Sequence, residues 1–155
     1  MNAPETRSVF PLSRLGLLRL TGPDVLDFLQ GQVTLDVTKL DASLTPAGYC
    51  DPKGRLLSVF FLTKSDSDIF IVTPRDTIDS LCRRLTLYTL RRHVRIAVDE
   101  SFGIFGVIGT AHFNAAYPCY TQGAVTLALT PTPKSSDADE DLWWEAAAYE
   151  GLPFV

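Results

Sequence analysis

Long apolar runs, paired cysteines and the common catalytic motifs are all missing from this sequence. No stretch approaches the roughly 18 consecutive apolar residues that a membrane helix needs, which excludes a helical membrane span. The opening MNAPETRSVFPLSRLGLLRL carries an acid early and breaks its apolar residues with Pro11, Ser13, Arg14 and Arg19. It lacks the h-region of an export signal, so a cytoplasmic location is expected. Cys50, Cys82 and Cys119 are an odd count with no close pair and no CxxC; neither a disulfide framework nor a zinc knuckle follows, and buried or idle thiols are expected. His93 and His112 have no carboxylate or thiol partner at a ligand spacing, so no metal site is predicted. There is no GxSxG, P-loop or HExxH. The glycines of GIFGVIG are spaced by three with no helical pattern after them. That spacing argues against a dinucleotide fingerprint and predicts a glycine-bearing strand with a bulge. No internal repeat is visible.

What is present suits a globular protein. At 155 residues, with 46% hydrophobic and 21% charged residues, the chain can bury roughly 70% of its unfolded surface around one independent core. The net charge of -4 hides an asymmetry: up to Arg95 there are 13 Lys and Arg against 10 Asp and Glu, and beyond it one Lys against eight acids. A basic front can steer an anionic ligand, although opposite charges on separate solvated faces give the same count.

The periodicity lays out a first unit. Arg14–Leu20 reads as an opening strand. TGPDVLDFLQGQ reads as a helix capped by Thr21 or Asp24, with Val25, Phe28 and Leu29 on one face and Gly31 as its stop. Leu44–Cys50 and Leu56–Leu62 are strands flanking DPKGR, KSDSD is a turn, and Ile69–Val72 is a short strand. A second helix opens at Thr73 and Pro74 and buries Ile78, Leu81, Cys82 and Leu85. Val94–Val98 closes the unit. The order strand, helix, three strands, helix, strand is a ferredoxin-like split βαβ plan with an added strand, in the α+β class. The predicted division is 1–100 for this domain and 101–155 for the start of a second α+β unit. That second unit contains strands FGIFGVIG and AVTLALT, the polar loop PTPKSSDADED and a final helix in LWWEAAAYEG. The apolar terminal LPFV predicts that something continues downstream.

Two clusters can carry chemistry. In DPKGR, Pro52 and Gly54 shape a turn, and Asp51, Lys53 and Arg55 either keep it wet or face a ligand beside Tyr49. RRLTLYTLRRHVR, Arg83 to Arg95, holds five arginines and one histidine around Tyr88. Arginine forks bind carboxylate and phosphate. The acidic overall charge and the lack of interleaved exposed aromatics argue against a direct nucleic-acid surface, leaving a solvated helix face with one or two anion-binding arginines.

LRLTGPDVLDFLQGQVTLDV, AGYCDPKGRLLSVFFL and LYTLRRHV together, in this order and spacing, resemble the N-terminal part of the YgfZ-type folate-binding proteins. These are relatives of the glycine-cleavage T-protein, an aminomethyltransferase, and mitochondrial iron–sulfur assembly factors belong to the same group. The likeness runs from about Leu15 to Glu100 and more loosely through WWEAAAYEGLPFV. It implies a tetrahydrofolate-type cofactor, iron–sulfur enzymes as clients and a role in tRNA modification, while the composition predicts neither membrane nor direct nucleic-acid contact. A pterin needs hydrogen-bonding partners, an aminobenzoyl ring an apolar or aromatic wall, and a glutamate tail cations. Tyr49, Asp51, Lys53, Arg55, Tyr88 and Arg91 are residue types that can supply these contacts and are the cofactor-binding candidates, and no residue is assigned as catalytic. Two departures stand out. Leu57 and Ser58 align where one-carbon-transferring T-proteins carry paired Asp residues, and the family's KGCYxGQ signature lies beyond the residues present here. The resemblance thus implies a folate-binding, non-transferase assistant. Two alternatives stay open: an aminomethyltransferase-like enzyme, and a cofactor-free module that forms homo-oligomers through unfinished apolar surface.

Overall fold

A computed structural model describes residues 8–108, 118–122 and 125–131. The chain divides into two compact units, one of Ser13–Asp99 and the other of Met1–Leu12 with Glu100–Val155. Strand β1 (Ser8–Pro11) belongs to the latter.

The Ser13–Asp99 unit begins with β2 (Leu15–Thr21) and α1 (Val25–Gln30), followed by a single 3-10 turn at Val37–Lys39. Strands β3 (Thr45–Cys50), β4 (Leu56–Ser65) and β5 (Asp68–Pro74) come next, then α2 (Arg75–Leu87) and β6 (Arg95–Asp99). The five strands form one antiparallel sheet in the order β3-β4-β5-β2-β6. Removing β3 from the edge leaves the ferredoxin-like split βαβ plan, as the element order predicts. Because side chains alternate along a strand, Leu18, Leu20, Phe60, Leu62, Ile69 and Ile71 share one face of the sheet. The apolar stripes of the helices, Val25, Phe28 and Leu29 on α1 and Ile78, Leu81 and Leu85 on α2, complete the same buried cluster.

The start of α1 differs from the expected cap. Asp24 occupies the N-cap and its carbonyl accepts the Phe28 N–H at 2.8 Å, but its side chain makes no capping bond. The carboxylate instead accepts the backbone N–H of His93 at 2.7 Å. Gly22, with φ +121°, lets this corner close: a Cβ there would lie 2.0 Å from the His93 carbonyl oxygen.

In the other unit, β1, β7 (Phe102–Ile108), β8 (Cys119–Gln122) and β9 (Val125–Pro131) form an antiparallel sheet ordered β1-β7-β9-β8. The two strands expected after Glu100 are β7 and β9. The bulge expected in β7 is absent: its pairing with β9 runs without a shift from Phe102↔Pro131 to Ile108↔Val125. The predicted boundary at residue 100 left the first twelve residues with the first unit. Ser8–Pro11 groups with the second because it pairs with Phe105–Ile108, a contact between segments nearly a hundred residues apart that no local pattern reveals. The loop beyond Pro131, the predicted helix in LWWEAAAYEG and the terminal LPFV lie outside the described residues.

Candidate functional site

DPKGR folds as a self-contained turn. The Asp51 N–H donates to the Arg55 carbonyl, and the Gly54 N–H to the Asp51 carbonyl, each at 2.9 Å. One carboxylate oxygen of Asp51 accepts the backbone N–H groups of Lys53 and Arg55, and the other accepts Arg55 Nε, all at 2.9 Å. Gly54 takes φ +79°, the left-handed conformation that favours glycine. The sequence alone accounts for Pro52 and Gly54 by turn chemistry and leaves Asp51 and Arg55 either to solvent or to a ligand. The hydrogen bonds give both a structural role as well, since Asp51 organises the turn and Arg55 pairs with it. The Arg55 backbone N–H, helped by the Arg55 side chain, the Lys53 N–H and the charge of Arg84, holds the Asp51 carboxyl below the usual carboxylate range against a smaller opposing effect of desolvation.

Beside this turn lies a cleft of about 320 Å³, built within the Ser13–Asp99 unit. One wall is the segment that leaves α1, residues 30–34; the other is residues 50–52 with Tyr49 behind them, and Tyr88 also lines the cleft. Backbone contacts fix the walls together. Val33 forms a β-bridge with Tyr49, the Thr34 N–H donates to the Gly48 carbonyl, and the Gly48 N–H donates to Thr34 Oγ1, both at 2.9 Å. Gln30 Oε1 accepts the Val37 N–H at 2.9 Å, which leaves its amide nitrogen available. The register of β3 on β4 shifts between Tyr49 and Cys50, so a bulge sits where the cleft meets the turn.

Tyr49 is the distinctive group. Its side chain is only 4% exposed, yet its hydroxyl has no hydrogen-bond partner among the described residues. The buried polar side-chain atoms left unpartnered are the hydroxyls of Thr63 and Thr73, so the Tyr49 oxygen itself still meets open space. Desolvation, reinforced by Tyr88 and opposed by Arg84, raises its pKa. The hydroxyl therefore stays protonated at neutral pH and can donate a hydrogen bond into the cleft.

Of the six candidates from the sequence, the cleft brings together Tyr49, Asp51 and Tyr88. Lys53 and Arg55 are exposed on the adjoining turn, and Arg91 is exposed in a left-handed turn after α2 with φ +66°; none of these three lines it. Sequence reasoning missed Gln30, Gln32 and Thr34. They belong to FLQGQVT, whose polar residues past the helix stop were the available signal. It also missed Arg84, whose charge acts on both Tyr49 and Asp51. At the positions aligned with the transferases' acidic pair, Leu57 is 44% exposed and Ser58 is half-buried, with no carboxylate at either. The three cysteines are free and half-buried, and no group of three metal-ligating side chains occurs among the described residues. No helix among them is long and apolar enough to cross a membrane.

No family model matches the chain. It is 38% identical over 123 residues to the tRNA-modifying protein YgfZ of Vibrio vulnificus, covering 72% of this chain and 38% of that protein. It is 31% identical over 148 residues to the tRNA-modifying protein YgfZ of Klebsiella pneumoniae, covering 92% of this chain and 44% of that one. In structure it resembles the glycine cleavage system aminomethyltransferase T of Bartonella henselae with a TM-score of 0.70 over 97% of this chain and 48% of that one; at 12% identity this likeness shows the fold alone. The chain spans less than half the length of each of these relatives. In sequence the chain is similar to a part of the YgfZ proteins, and its fold is that of the aminomethyltransferase T.

Proposed function

We propose that this protein binds a tetrahydrofolate-type cofactor and supports tRNA modification by assisting iron–sulfur enzymes, without itself transferring one-carbon units. The observation that supports the folate reading is the Tyr49 hydroxyl, carried on a buried residue, without a partner among the described residues and open to a cleft, on an aminomethyltransferase-type fold. The relatives' names, tRNA-modifying protein YgfZ, support the tRNA branch.

The residues present fit the ring of such a cofactor. A volume of about 320 Å³ lies at the lower end of the roughly 300–1,000 Å³ typical of small-molecule sites, which suits a bicyclic ring rather than a whole folate. Tyr49 offers a donor, Thr34 a hydroxyl, and Gln30 and Gln32 amides that match the mixed donor and acceptor edge of a pterin. Tyr88 supplies an aromatic wall. When bound, the cofactor would bring one-carbon chemistry. The chain's own residues bind and orient it, but Leu57 and Ser58 offer no carboxylate to hold or move a proton, which argues against the transferase alternative.

Calorimetric titration of the protein with tetrahydrofolate tests the binding reading, and absence of both heat and thermal shift at high ligand removes it. The tRNA branch is tested in the native host: deleting the gene should lower the level of a tRNA modification made by an iron–sulfur enzyme, and an unchanged level argues against it.

A further inference from the structure

Of the five glycines in the Ser13–Asp99 unit, four have a reason inside the protein. Gly22 and Gly54 take positive φ. A Cβ at Gly16 would lie 2.9 Å from Ile78 Cδ1, and one at Gly48 would lie 2.7 Å from Leu56 Cδ1. Gly31 has neither reason. Its φ of -89° and ψ of -3° are right-handed values open to most residues, so the left-handed conformation for which glycine commonly ends a helix is not used. Beyond its chain neighbours, a Cβ built on it would meet the Phe28 carbonyl oxygen at 3.8 Å, an ordinary contact. Its N–H donates to that same carbonyl at 3.3 Å, a bond alanine makes equally well. Gly31 nevertheless lines the cleft, as do Gln30 and Gln32 on either side of it. A glycine can line a cleft only with bare main chain.

Resting on the folate reading, we infer that the side chain missing at Gly31 leaves the space in which the ligand's ring lies, so that Gly31 sets the width of the cleft. Main chain can approach a ligand closely only where no Cβ stands in the way. A flat ring laid on the peptide groups at either side of Gly31 has the Gln30 and Gln32 amides at its edge, where a pterin presents donors and acceptors. Gly31 acts by shape: its N–H is already spent on Phe28, and it brings no charge. A side chain at this position takes room from the ligand while meeting little else in the unit. Stability and affinity should therefore move apart, since a glycine needed by the fold would carry both down together.

The test is calorimetric titration of tetrahydrofolate into wild type, Gly31→Ala and Gly31→Leu, with a thermal melt of each protein without ligand. Gly31→Ala should melt at or slightly above wild type, because alanine restricts the unfolded chain and adopts the native conformation without strain. Its affinity should fall about tenfold, in keeping with the cost of crowding a close-packed contact, and Gly31→Leu should bind more weakly still. Wild-type affinity in either folded variant overturns the inference and leaves the folate reading standing. A fall in affinity that comes with a lower melting temperature in Gly31→Ala overturns it too, by returning the glycine to the helix end. No binding by wild type overturns the folate reading and this inference with it. The alanine variant alone decides the matter if leucine disturbs the fold.

Discussion

The Asp24 carboxylate accepts the backbone N–H of His93 at 2.7 Å, joining two motifs nearly seventy residues apart in sequence. Around this bond Asp27 pairs with Arg92, and Gly22 packs against the His93 carbonyl. TGPD and RRHV are therefore two sides of one corner, which anchors the start of α1 to the entry of β6. Gly22→Ala combines a disfavoured φ with a backbone clash and should cost more than the roughly 1–2 kcal/mol of left-handed strain alone. Asp24→Ala, which removes the acceptor for His93, should cost about 1 kcal/mol. Urea unfolding checks both. A Gly22→Ala midpoint equal to wild type would contradict the corner.

The turn predicts a separation of stability from binding. Arg55→Ala breaks a pair within the turn without touching the cleft, so tetrahydrofolate affinity should stay within about twofold, because an exposed pair contributes little. Asp51→Ala removes the acceptor for two backbone N–H groups, so it should both loosen the turn and deform the adjoining wall. Titration of the two variants side by side distinguishes them. Equal losses of affinity would mean that Arg55 faces the ligand after all.

Acid should weaken the fold in a defined window. Asp36, Asp41 and Asp51 are all held below the usual carboxylate range, first of all by the Thr38 hydroxyl, the Ser43 hydroxyl and the Arg55 backbone N–H respectively. Their contribution is therefore complete above the ordinary Asp value of about 4 and is lost as the pH falls through the lower folded values. In that window the unfolded chain binds more protons, so stability should rise with pH. Thermal melts across it should show a steeper pH dependence for wild type than for the triple variant Asp36→Asn, Asp41→Asn, Asp51→Asn. Parallel curves would rule out these turns as the origin.

Leu85 links the core to the site. It is fully buried in the last turn of α2, one residue after Arg84 and three before Tyr88. Leu85→Ala should cost about 2–5 kcal/mol and weaken ligand binding through the shifted helix end. A thermal melt that moves by less than a degree would contradict this packing.

Much of the sheet-and-helix plan was legible because its signals are local. Leu18 and Leu20 alternate, Ile78, Leu81 and Leu85 recur at helical spacing, and Gly54 marks its turn. Strand β1 was not legible, since Ser8–Pro11 earns its place only by pairing with Phe105–Ile108. The role of Asp24 was half legible: its position predicts a cap, but a remote backbone donor took the carboxylate. At the site, Tyr49, Asp51 and Tyr88 stood out by type and by resemblance. The glutamines of FLQGQ did not, because only the bridge from Val33 to Tyr49 brings them opposite the DPKGR turn.

The most direct test is calorimetric titration of tetrahydrofolate into wild type and Tyr49→Phe, a change that removes only the oxygen. Loss of one buried hydrogen bond predicts roughly fivefold to tenfold weaker binding with unchanged thermal stability. Identical affinities for the two proteins would contradict a pterin hydrogen-bonded at Tyr49.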